Sequence, residues 1–410
     1  MAEYILAREN GRVIPKEDKN FGISNRAKAA IREYGKDAVV NSTIGTLNDD
    51  SGDLIVLESV HKVFQTLGPK DYAEYAPIGG TPAFKEAAKK AAFKNNVPEG
   101  FIEVVATPGG TGSLRNAISN YTIYGDKVLT TDWHWAPYKT IASEIGRKIE
   151  VFELFNAERK FNIDAFKASV NDILAQQESI VVILNTPAHN PTGYSLTPTD
   201  WDNVIAALTE SAQTGKAIAL VVDVAYMDFA GDEDEYRQFI PKLSTLPENV
   251  LPIIAYSGSK TFTLYGTRCG AMICIAKTQA IADEFKRVCE FSSRGSWSNN
   301  AKVGQVILEK IFDDEELLAS VSKERAYYRD MLLARGRAFS EEAAKVGLEI
   351  VPFDAGFFVS VPCDNPEEVA AKLEKENVFL VPLAKGLRIS VASIPEAACR
   401  KLPAMIKAAL

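Results

Sequence analysis

The stretch IIAYSGSKTFTLYGTRCG, residues 253–270, joins an apolar, β-branched run to a turn rich in small and hydroxyl-bearing residues. It holds a single lysine, Lys260, which directly follows Ser259 and lies three residues after Ser257. Arg268 follows two helical turns later. Lysine is the residue that forms imines with carbonyl compounds, pyridoxal phosphate among them. The stretch therefore predicts a reactive amine beside groups that hold a phosphate, and a solvated loop lysine is the alternative.

Apolar runs like the one before Lys260 recur through the central part of the chain and alternate with longer helical patterns, such as residues 198–215. Continuous apolar runs predict strands that are covered on both faces, as in a mostly parallel sheet flanked by helices. Seven strands are predicted: IEVVAT (102–107), KVLTTD (127–132), KIEVFEL (148–154), SIVVILN (179–185), AIALVVD (217–223), PIIAYS (252–257) and GAMICIA (270–276).

The character of the sequence changes after Gly295. Residues 299–346 have helical periodicity without a strand signal, and the short strand signals LEIVPF, GFFVSVP, NVFLVP and LRISVA precede a last helix. We predict a large domain over 51–298 that contains the sheet. Residues 299–410 are predicted to form a connecting long helix and a smaller α+β domain, and residues 1–50 to pack with that small domain.

The composition narrows the class of protein. Of the 410 residues, 46% are hydrophobic and 24% charged, and the net charge of -8 argues against a nucleic-acid-binding face. The five cysteines form no CxxC pair and no metal-ligand spacing, which predicts reduced thiols and no metal site. The first residues do not resemble a signal peptide, and no apolar stretch approaches the ~20 residues that span a bilayer. These observations predict a cytoplasmic protein.

Polar residues cluster where the predicted strands end, which is where open α/β sheets bind ligands. The glycine-rich turn TPGGTGSLRNAI (107–118) would let backbone amides face an anion, or it is only a strand-to-helix turn. In HNPTG, Asn190 presents an amide at a strand end, although the sequence also suits a simple turn. Asp223 ends an apolar strand and requires a cationic partner, such as a pyridinium nitrogen, with Tyr226 near the same ring. A helix cap is the alternative for Asp223.

Two arginines stand out late in the chain. Arg294 lies between small residues in EFSSRGSWSNNAKVG, and Arg388 lies within the apolar run KGLRISVA. A guanidinium binds a carboxylate through a two-pronged fork, so an arginine in such a setting suggests recognition of an acid. A structural ion pair is the alternative for either residue.

Taken together, these motifs resemble those of fold-type I pyridoxal-phosphate enzymes, and among them the aspartate and aromatic aminotransferase group. The resemblance runs from about Asn41 to Leu410, with YSGSKTFTLYGTR, HNPTG, DVAY and LRIS in the expected order. It implies a fold-type I transferase fold, a pyridoxal 5'-phosphate cofactor, amino acid and 2-oxo acid substrates, and a homodimer with shared active sites. Neither a membrane nor a nucleic acid is implied as a partner.

The resemblance also implies a role for each matching residue. Lys260 would form the imine and shuttle the proton, Asp223 would pair with the pyridine nitrogen, and Tyr226 and Asn190 would hold the phenolic oxygen. The remaining cofactor roles are phosphate binding for Gly110, Thr111, Ser257 and Arg268, ring stacking for Trp135, and cofactor binding by Tyr75. The substrate roles are α-carboxylate binding for Arg388, dicarboxylate binding for Arg294, substrate contacts for Asn190 and Trp135, and a substrate-side loop for Ile44 and Gly45. Tyr75 and Arg294 would be donated by the partner subunit.

The sequence departs from the family pattern at several positions. Tyr138 stands where a histidine usually supports the aspartate, Gly258 replaces a bulkier residue, and WSNNA stands in place of YSNPP. The connection between Asn190 and Asp223 is also longer than is usual. The activity predicted is a ping-pong aminotransferase for acidic or aromatic amino acids, with 2-oxoglutarate as acceptor. The alternatives are a carbon–sulfur β-lyase on the same scaffold and a non-catalytic nucleotide-phosphate binder.

Overall fold

A computed structural model describes residues 5–7, 12, 14 and 17–410, so part of the predicted 1–50 segment lies outside the described residues. The chain forms two compact units. The small unit comprises the described part of Met1–Ile55 together with Ala188–Ser195 and Ala326–Leu410. The large unit comprises Val56–Pro187 and Leu196–Arg325.

The large unit is built on a seven-stranded, mostly parallel sheet, which confirms the predicted fold class. The strands lie in the order β1-β7-β6-β5-β4-β2-β3, and only β7 runs antiparallel to its neighbours. In chain order they are β1 (Phe101–Pro108), β2 (Lys127–Thr131), β3 (Lys148–Phe152), β4 (Ser179–Asn185), β5 (Ala217–Asp223), β6 (Val250–Ser257) and β7 (Cys269–Ala276).

Helices flank this sheet, and every residue of β6 and β7 is buried, as their continuous apolar runs predict. The core of the unit includes Val105, Val181, Val221 and Ile253 from four different strands. The α-helices of the large unit are Glu58–Gln65, Pro69–Ala73, Pro82–Phe93, Gly109–Tyr121, Pro137–Glu144, Ile163–Leu174, Pro198–Ser211, Phe239–Leu243, Gly258–Thr261, Gln279–Ser296 and Lys302–Asp313.

The small unit is α+β. A parallel pair joins Val40–Asn41 to Val378–Phe379, and an antiparallel sheet has the order Val381–Leu383, Gly386–Ser390, Phe358–Pro362. Its helices include Lys19–Tyr34, Pro366–Glu374 and Glu396–Ala409. The predicted strand LEIVPF is wrong, because the structure forms no strand over that segment, although Val351 N donates to Ser360 O at 2.8 Å.

The predicted helical stretch 299–346 is two helices, Lys302–Asp313 and Glu315–Lys345. The break lies at Asp314, whose backbone is extended and whose Oδ1 accepts a hydrogen bond from Leu317 N at 2.9 Å, capping the second helix. No helix among the described residues is long and apolar enough to cross a membrane.

The division between the units differs from the predicted boundary at 298/299. Helix Lys302–Asp313 belongs to the large unit, where Gln305 Oε1 accepts a hydrogen bond from Thr81 N at 3.0 Å. Residues 188–195 belong to the small unit, because Ser360 Oγ donates to Pro191 O at 2.8 Å. These contacts join segments far apart in sequence, which composition does not reveal.

Candidate active site

Lys260 lies in the four-residue helix Gly258–Thr261, directly after β6. Ser257 begins this turn, and its Oγ accepts a hydrogen bond from Ser259 N at 3.3 Å. The ammonium nitrogen Nζ lies 5.1 Å from the centre of the Tyr226 ring. Burial lowers the pKa of Lys260 to about 8, and the negative charge of Asp223 only partly opposes this. The site therefore holds an amine that is reactive near neutral pH.

Asp223 ends β5, next to β6 in the sheet, and is buried. Burial raises the pKa of its carboxyl, whereas hydrogen bonds from Tyr138 and Ala225 and the charge of Lys260 lower it. The phenol of Tyr138 donates to Oδ2 at 2.7 Å, and Ala225 N donates to Oδ1 at 3.2 Å. An acid buried in this way is stabilised by a cation brought close to it.

Tyr138, at the position for which the resemblance implies a histidine, is fully buried. Burial, followed by the charge of Asp223, raises the pKa of its phenol well above the usual range, so it stays a neutral donor. The ring of Trp135 meets the Tyr138 ring edge-on, with their centres 5.5 Å apart, and the ring of His134 stacks on the same Tyr138 ring at 6.4 Å. The predicted ring-stacking Trp135 is thus connected through Tyr138 to Asp223.

Glycines and the guanidinium of Arg268 meet where β1 enters helix Gly109–Tyr121. Gly109 has φ +67°, and a Cβ there would lie 2.6 Å from Nη2 of Arg268. Nη1 of Arg268 donates to Ser259 Oγ at 3.2 Å, and a Cβ on Gly110 would lie 3.6 Å from that of Ser257. The positive guanidinium of Arg268 thus lies beside the positive dipole end of helix Gly109–Tyr121. A bound anion would stabilise this arrangement.

The residues of the large unit fit a cofactor that carries an aldehyde, a basic ring nitrogen and a phosphate. Lys260 is a half-buried amine that could bond such an aldehyde, and Asp223 is a buried acid that could pair with such a ring nitrogen. The glycines at the helix start leave room that side chains would fill. Thr111 is exposed at the same helix start, where its hydroxyl is accessible to a phosphate.

A second cluster lies within the small unit around Arg388, which is buried on the central strand of its three-stranded sheet. Its guanidinium carbon lies 4.5 Å from the centre of the Phe358 ring. Nη2 donates to Thr43 O at 2.7 Å, and Nη1 lies 3.5 Å from Asn190 Oδ1. A Cβ on Gly45 would lie 2.5 Å from the Phe358 ring, so this position requires glycine.

Ile44 belongs to the same cluster, since its carbonyl accepts a hydrogen bond from Ser390 Oγ at 2.9 Å. The structure thus brings together Ile44, Gly45, Asn190 and Arg388 in the small unit. In the large unit it brings together the predicted residues Gly110, Ser257, Arg268, Lys260, Asp223, Tyr226 and, through Tyr138, Trp135.

Arg294 and Tyr75 lie on the surface of the large unit. Nη1 of Arg294 donates to Ser298 Oγ at 2.6 Å, and Asn299, next to Ser298, donates from Nδ2 to Ala76 O at 2.8 Å. Tyr75 is 89% exposed. The two predicted residues therefore lie in one surface region, joined through Ser298, Asn299 and Ala76.

Sequence reasoning missed Asn185, which ends β4 directly opposite Asp223 in the parallel register. Its Nδ2 donates to the backbone carbonyl of Asp223 at 2.8 Å and so fixes the strand end that carries the acid. The available signal was a polar residue that ends a predicted apolar strand, the same signal that marked Asp223.

Comparisons with known proteins bear on this arrangement. The sequence pattern of the aminotransferase class I and II family matches residues 37–406. An aromatic-amino-acid aminotransferase of Paracoccus denitrificans is 26% identical over 386 residues, which cover 92% of this chain and 93% of the relative. The aspartate aminotransferase of Escherichia coli is 26% identical over 367 residues, covering 87% and 89% of the two chains.

Solved structures agree with this result. An aminotransferase from Anaerococcus prevotii superposes with a TM-score of 0.95 at 38% identity, covering 98% of this chain and 99% of the other. An aromatic-amino-acid aminotransferase from Burkholderia pseudomallei, covalently bound to pyridoxal phosphate, superposes with a TM-score of 0.80 at 21% identity and covers 99% and 100%. The chain belongs to the aminotransferase class I and II family, and the predicted enzyme class is confirmed.

Proposed function

We propose that this aminotransferase moves an amino group between an acidic or aromatic amino acid and a 2-oxo acid, with 2-oxoglutarate as one acceptor. Its cofactor is pyridoxal 5'-phosphate, as in the Burkholderia pseudomallei enzyme. The observation that carries the proposal is the half-buried amine of Lys260, with a pKa of about 8, beside Asp223 and Tyr226. Relatives named aspartate and aromatic-amino-acid aminotransferases support the two substrate classes.

The bound cofactor supplies an aldehyde that accepts the amino group and a pyridinium ring that accepts electrons. Lys260 Nζ removes the proton from Cα of the amino acid and later returns it, a task suited to an amine with a pKa near the working pH. Asp223 keeps a proton on the ring nitrogen, and Tyr226 hydrogen-bonds the phenolic oxygen. Two successive half-reactions of this kind follow ping-pong kinetics.

Phosphate binding is assigned to Gly110, Thr111, Ser257 and Arg268, and ring stacking to Trp135. Gly109 supports the first assignment, because its missing side chain leaves the space that the Arg268 guanidinium occupies. Asn190 is assigned to the phenolic oxygen together with Tyr226.

Arg388 binds the substrate α-carboxylate in this proposal, with Ile44 and Gly45 on the substrate side. Its guanidinium is buried against an aromatic ring, a setting in which a planar fork binds a carboxylate firmly. Orienting the Cα–H bond in this way contributes several kcal/mol to the rate.

Arg294 is proposed to bind the second carboxylate of a dicarboxylic substrate. The Arg294→Ala variant should lose turnover of aspartate and glutamate and keep that of aromatic donors. Arg287→Ala is the matched control, since Arg287 is exposed two turns earlier on the same helix. Unchanged turnover of dicarboxylates by Arg294→Ala would make this assignment wrong.

A homodimer is proposed in which Tyr75 and Arg294 serve the site of the partner subunit. The large unit exposes Tyr72 at 59%, Tyr75 at 89% and Phe291 at 82%, and Phe291 lies one turn before Arg294. Exposed aromatic residues of this size suit a buried interface. Light scattering should find twice the chain mass for the native protein and a smaller particle for Phe291→Glu.

Two experiments test the activity. Reduction with borohydride and peptide mapping should find the cofactor attached to Lys260, and an unmodified Lys260 would refute the proposal. A panel of amino donors with 2-oxoglutarate should then give the preferred side chain, whereas release of pyruvate and ammonia from a cysteine conjugate without an acceptor would support the β-lyase.

We also propose a cytoplasmic location, because all five cysteines are free thiols.

A further inference from the structure

Three polar residues that the proposed reaction does not use form a chain that begins beside Lys260. Thr261 directly follows the lysine, and its Oγ1 donates to Oδ2 of Asp228 at 2.6 Å. The other oxygen of Asp228, Oδ1, accepts from Nη2 of Arg237 at 2.6 Å. The exposed fractions of Thr261, Asp228 and Arg237 are 5%, 3% and 0%. A chain of three buried polar side chains therefore ends next to the reactive amine.

Arg237 is held firmly at the far end of this chain. Its Nε and Nη2 donate to the carbonyls of Ala92 and Ala91, at 3.0 and 3.1 Å, and Nη1 donates to Glu233 O at 2.7 Å. The two alanine carbonyls belong to the last turn of helix Pro82–Phe93, whose negative dipole end stabilises a cation. The guanidinium of Arg237 is therefore fixed by hydrogen bonds in a place where its positive charge is stabilised.

Asp228 remains ionised in this setting. Burial opposes its ionisation, but the positive charges of Arg237 and Arg325 outweigh that effect and hold the pKa of its carboxyl well below the usual range. The hydroxyl of Thr261 therefore donates to a permanent anion. Such charge-assisted bonds are about twice as strong as neutral ones.

The hydrogen bond between Thr261 and Asp228 connects two segments of the candidate active site. Asp228 lies in the turn Met227–Phe229, two residues after Tyr226, whereas Thr261 is covalently next to Lys260. The bond therefore ties the segment that follows β5 to the turn that follows β6. These two segments carry the phenol and the amine that lie 5.1 Å apart.

We propose that the hydrogen bond from Thr261 to the Asp228–Arg237 pair positions Lys260 for bonding to the cofactor. This rests on the proposed role of Lys260 as the amine that bonds the cofactor. Thr261 and Asp228 are positioning residues, since they act only through the place they give to Lys260. Without the bond, the lysine turn is held by longer hydrogen bonds, such as those from Ser259 N to Ser257 Oγ at 3.3 Å and from Arg268 Nη1 to Ser259 Oγ at 3.2 Å.

The test compares Thr261→Val, which replaces the hydroxyl with a methyl group, with Thr261→Ser, which keeps it. Each apoprotein is titrated with pyridoxal phosphate, and Tm is measured with and without cofactor. Thr261→Val should bind the cofactor about tenfold or more weakly, because it loses a hydrogen bond to an ion. The gap between the Tm of the holo and apo forms should shrink accordingly. Thr261→Ser should restore the affinity and the gap.

Thr130→Val is the matched structural control. Thr130 is buried on β2 and its Oγ1 donates to Ile183 O at 3.0 Å, so the variant also loses a buried hydroxyl bond in the large unit. It should lower the Tm of both forms alike and leave cofactor affinity unchanged. Circular dichroism of the bound cofactor, which reports the fixed orientation of its ring, should weaken in Thr261→Val only.

An unchanged cofactor affinity in Thr261→Val, with equal losses of Tm in both forms, would overturn the proposal and leave a purely structural bond. Should the valine variant fail to accumulate, Thr261→Ala serves the same comparison. Borohydride mapping of the native protein distinguishes a failure of the proposed function from a failure of the positioning role. An adduct elsewhere than Lys260 refutes the proposed function, whereas an adduct on Lys260 with an unaffected Thr261→Val refutes only the positioning role.

Discussion

Replacing Tyr138 by phenylalanine removes one hydroxyl and leaves the ring that fills the core. The lost group is the donor to Oδ2 of Asp223 at 2.7 Å, and both side chains are buried. That donor favours the ionised form of Asp223, so its loss favours the protonated form. Since a protonated cofactor ring requires the ionised acid, the variant should bind pyridoxal phosphate more weakly.

The size of the effect follows from the type of bond. A hydrogen bond to a charged group contributes about 1.5–3 kcal/mol to the stability of the charged form, here the ionised carboxylate of Asp223. The cofactor dissociation constant should therefore rise about 10- to 100-fold in Tyr138→Phe. Affinity of the native apoprotein should increase as the pH rises through the pKa of Asp223, which lies above its usual range, and in the variant this midpoint should move upward.

The assay is a titration of apoprotein with pyridoxal phosphate at a series of pH values, followed by absorbance. Tyr121→Phe is the control, because Tyr121 packs against the same core as Tyr138 and no hydrogen bond from it to Asp223 is seen among the described residues. Equal dissociation constants and equal midpoints for native protein and Tyr138→Phe would refute the reasoning, since the phenol would then contribute nothing to the ionisation of Asp223.

Three further outcomes are expected. Apoprotein should form its link to the cofactor at a rate that rises with pH and levels off above about 8, because burial lowers the pKa of Lys260 to that value; a midpoint near 10.5 would indicate a solvated amine. Gly109→Ala places a Cβ where Nη2 of Arg268 lies, so it should weaken binding of pyridoxal phosphate about tenfold and spare pyridoxal, which has no phosphate. Arg388→Lys loses the planar fork over Phe358 and should raise KM for amino acids about tenfold or more, whereas an unchanged KM would place carboxylate binding elsewhere.

The sheet and the ends of its strands could be predicted because burial on both faces demands long apolar runs. β4 and β5 were predicted to the residue, since each apolar run stops at a polar side chain, Asn185 and Asp223. Parallel register then places those two ends side by side. The position of Lys260 can be predicted in the same way, because the apolar run of β6, the next strand in the sheet, ends at the hydroxyl-rich turn that carries the lysine.

Other features depend on contacts that no local pattern encodes. Tyr138 and Asp223 lie 85 positions apart, and only folding shows that the phenol replaces the expected histidine as a donor to the acid. Arg237 is buried with Asp228, although a charged run such as GDEDEYR suggests a solvated surface. The failed strand prediction LEIVPF has the same origin: Leu348 and Val351 are buried, and Ile350 and Phe353 partly buried, by packing against the core of the small unit and not by pairing in a sheet.

Asp223 and Asp228 show why neighbouring acids in one segment take different roles. Both are buried, yet the pKa of Asp223 is raised and that of Asp228 is lowered. The difference lies in their partners, because Asp228 faces the fixed charges of Arg237 and Arg325, whereas Asp223 receives hydrogen bonds from a neutral phenol and a backbone amide. The negative charge of Asp228 is thus compensated within the protein, and that of Asp223 is compensated less completely. A buried carboxylate whose charge is only partly compensated is stabilised strongly by a cation that a ligand brings. Tyr138 is a neutral donor, so it leaves Asp223 able to attract a protonated ring. An arginine at that position would compensate the charge of Asp223 and weaken this attraction.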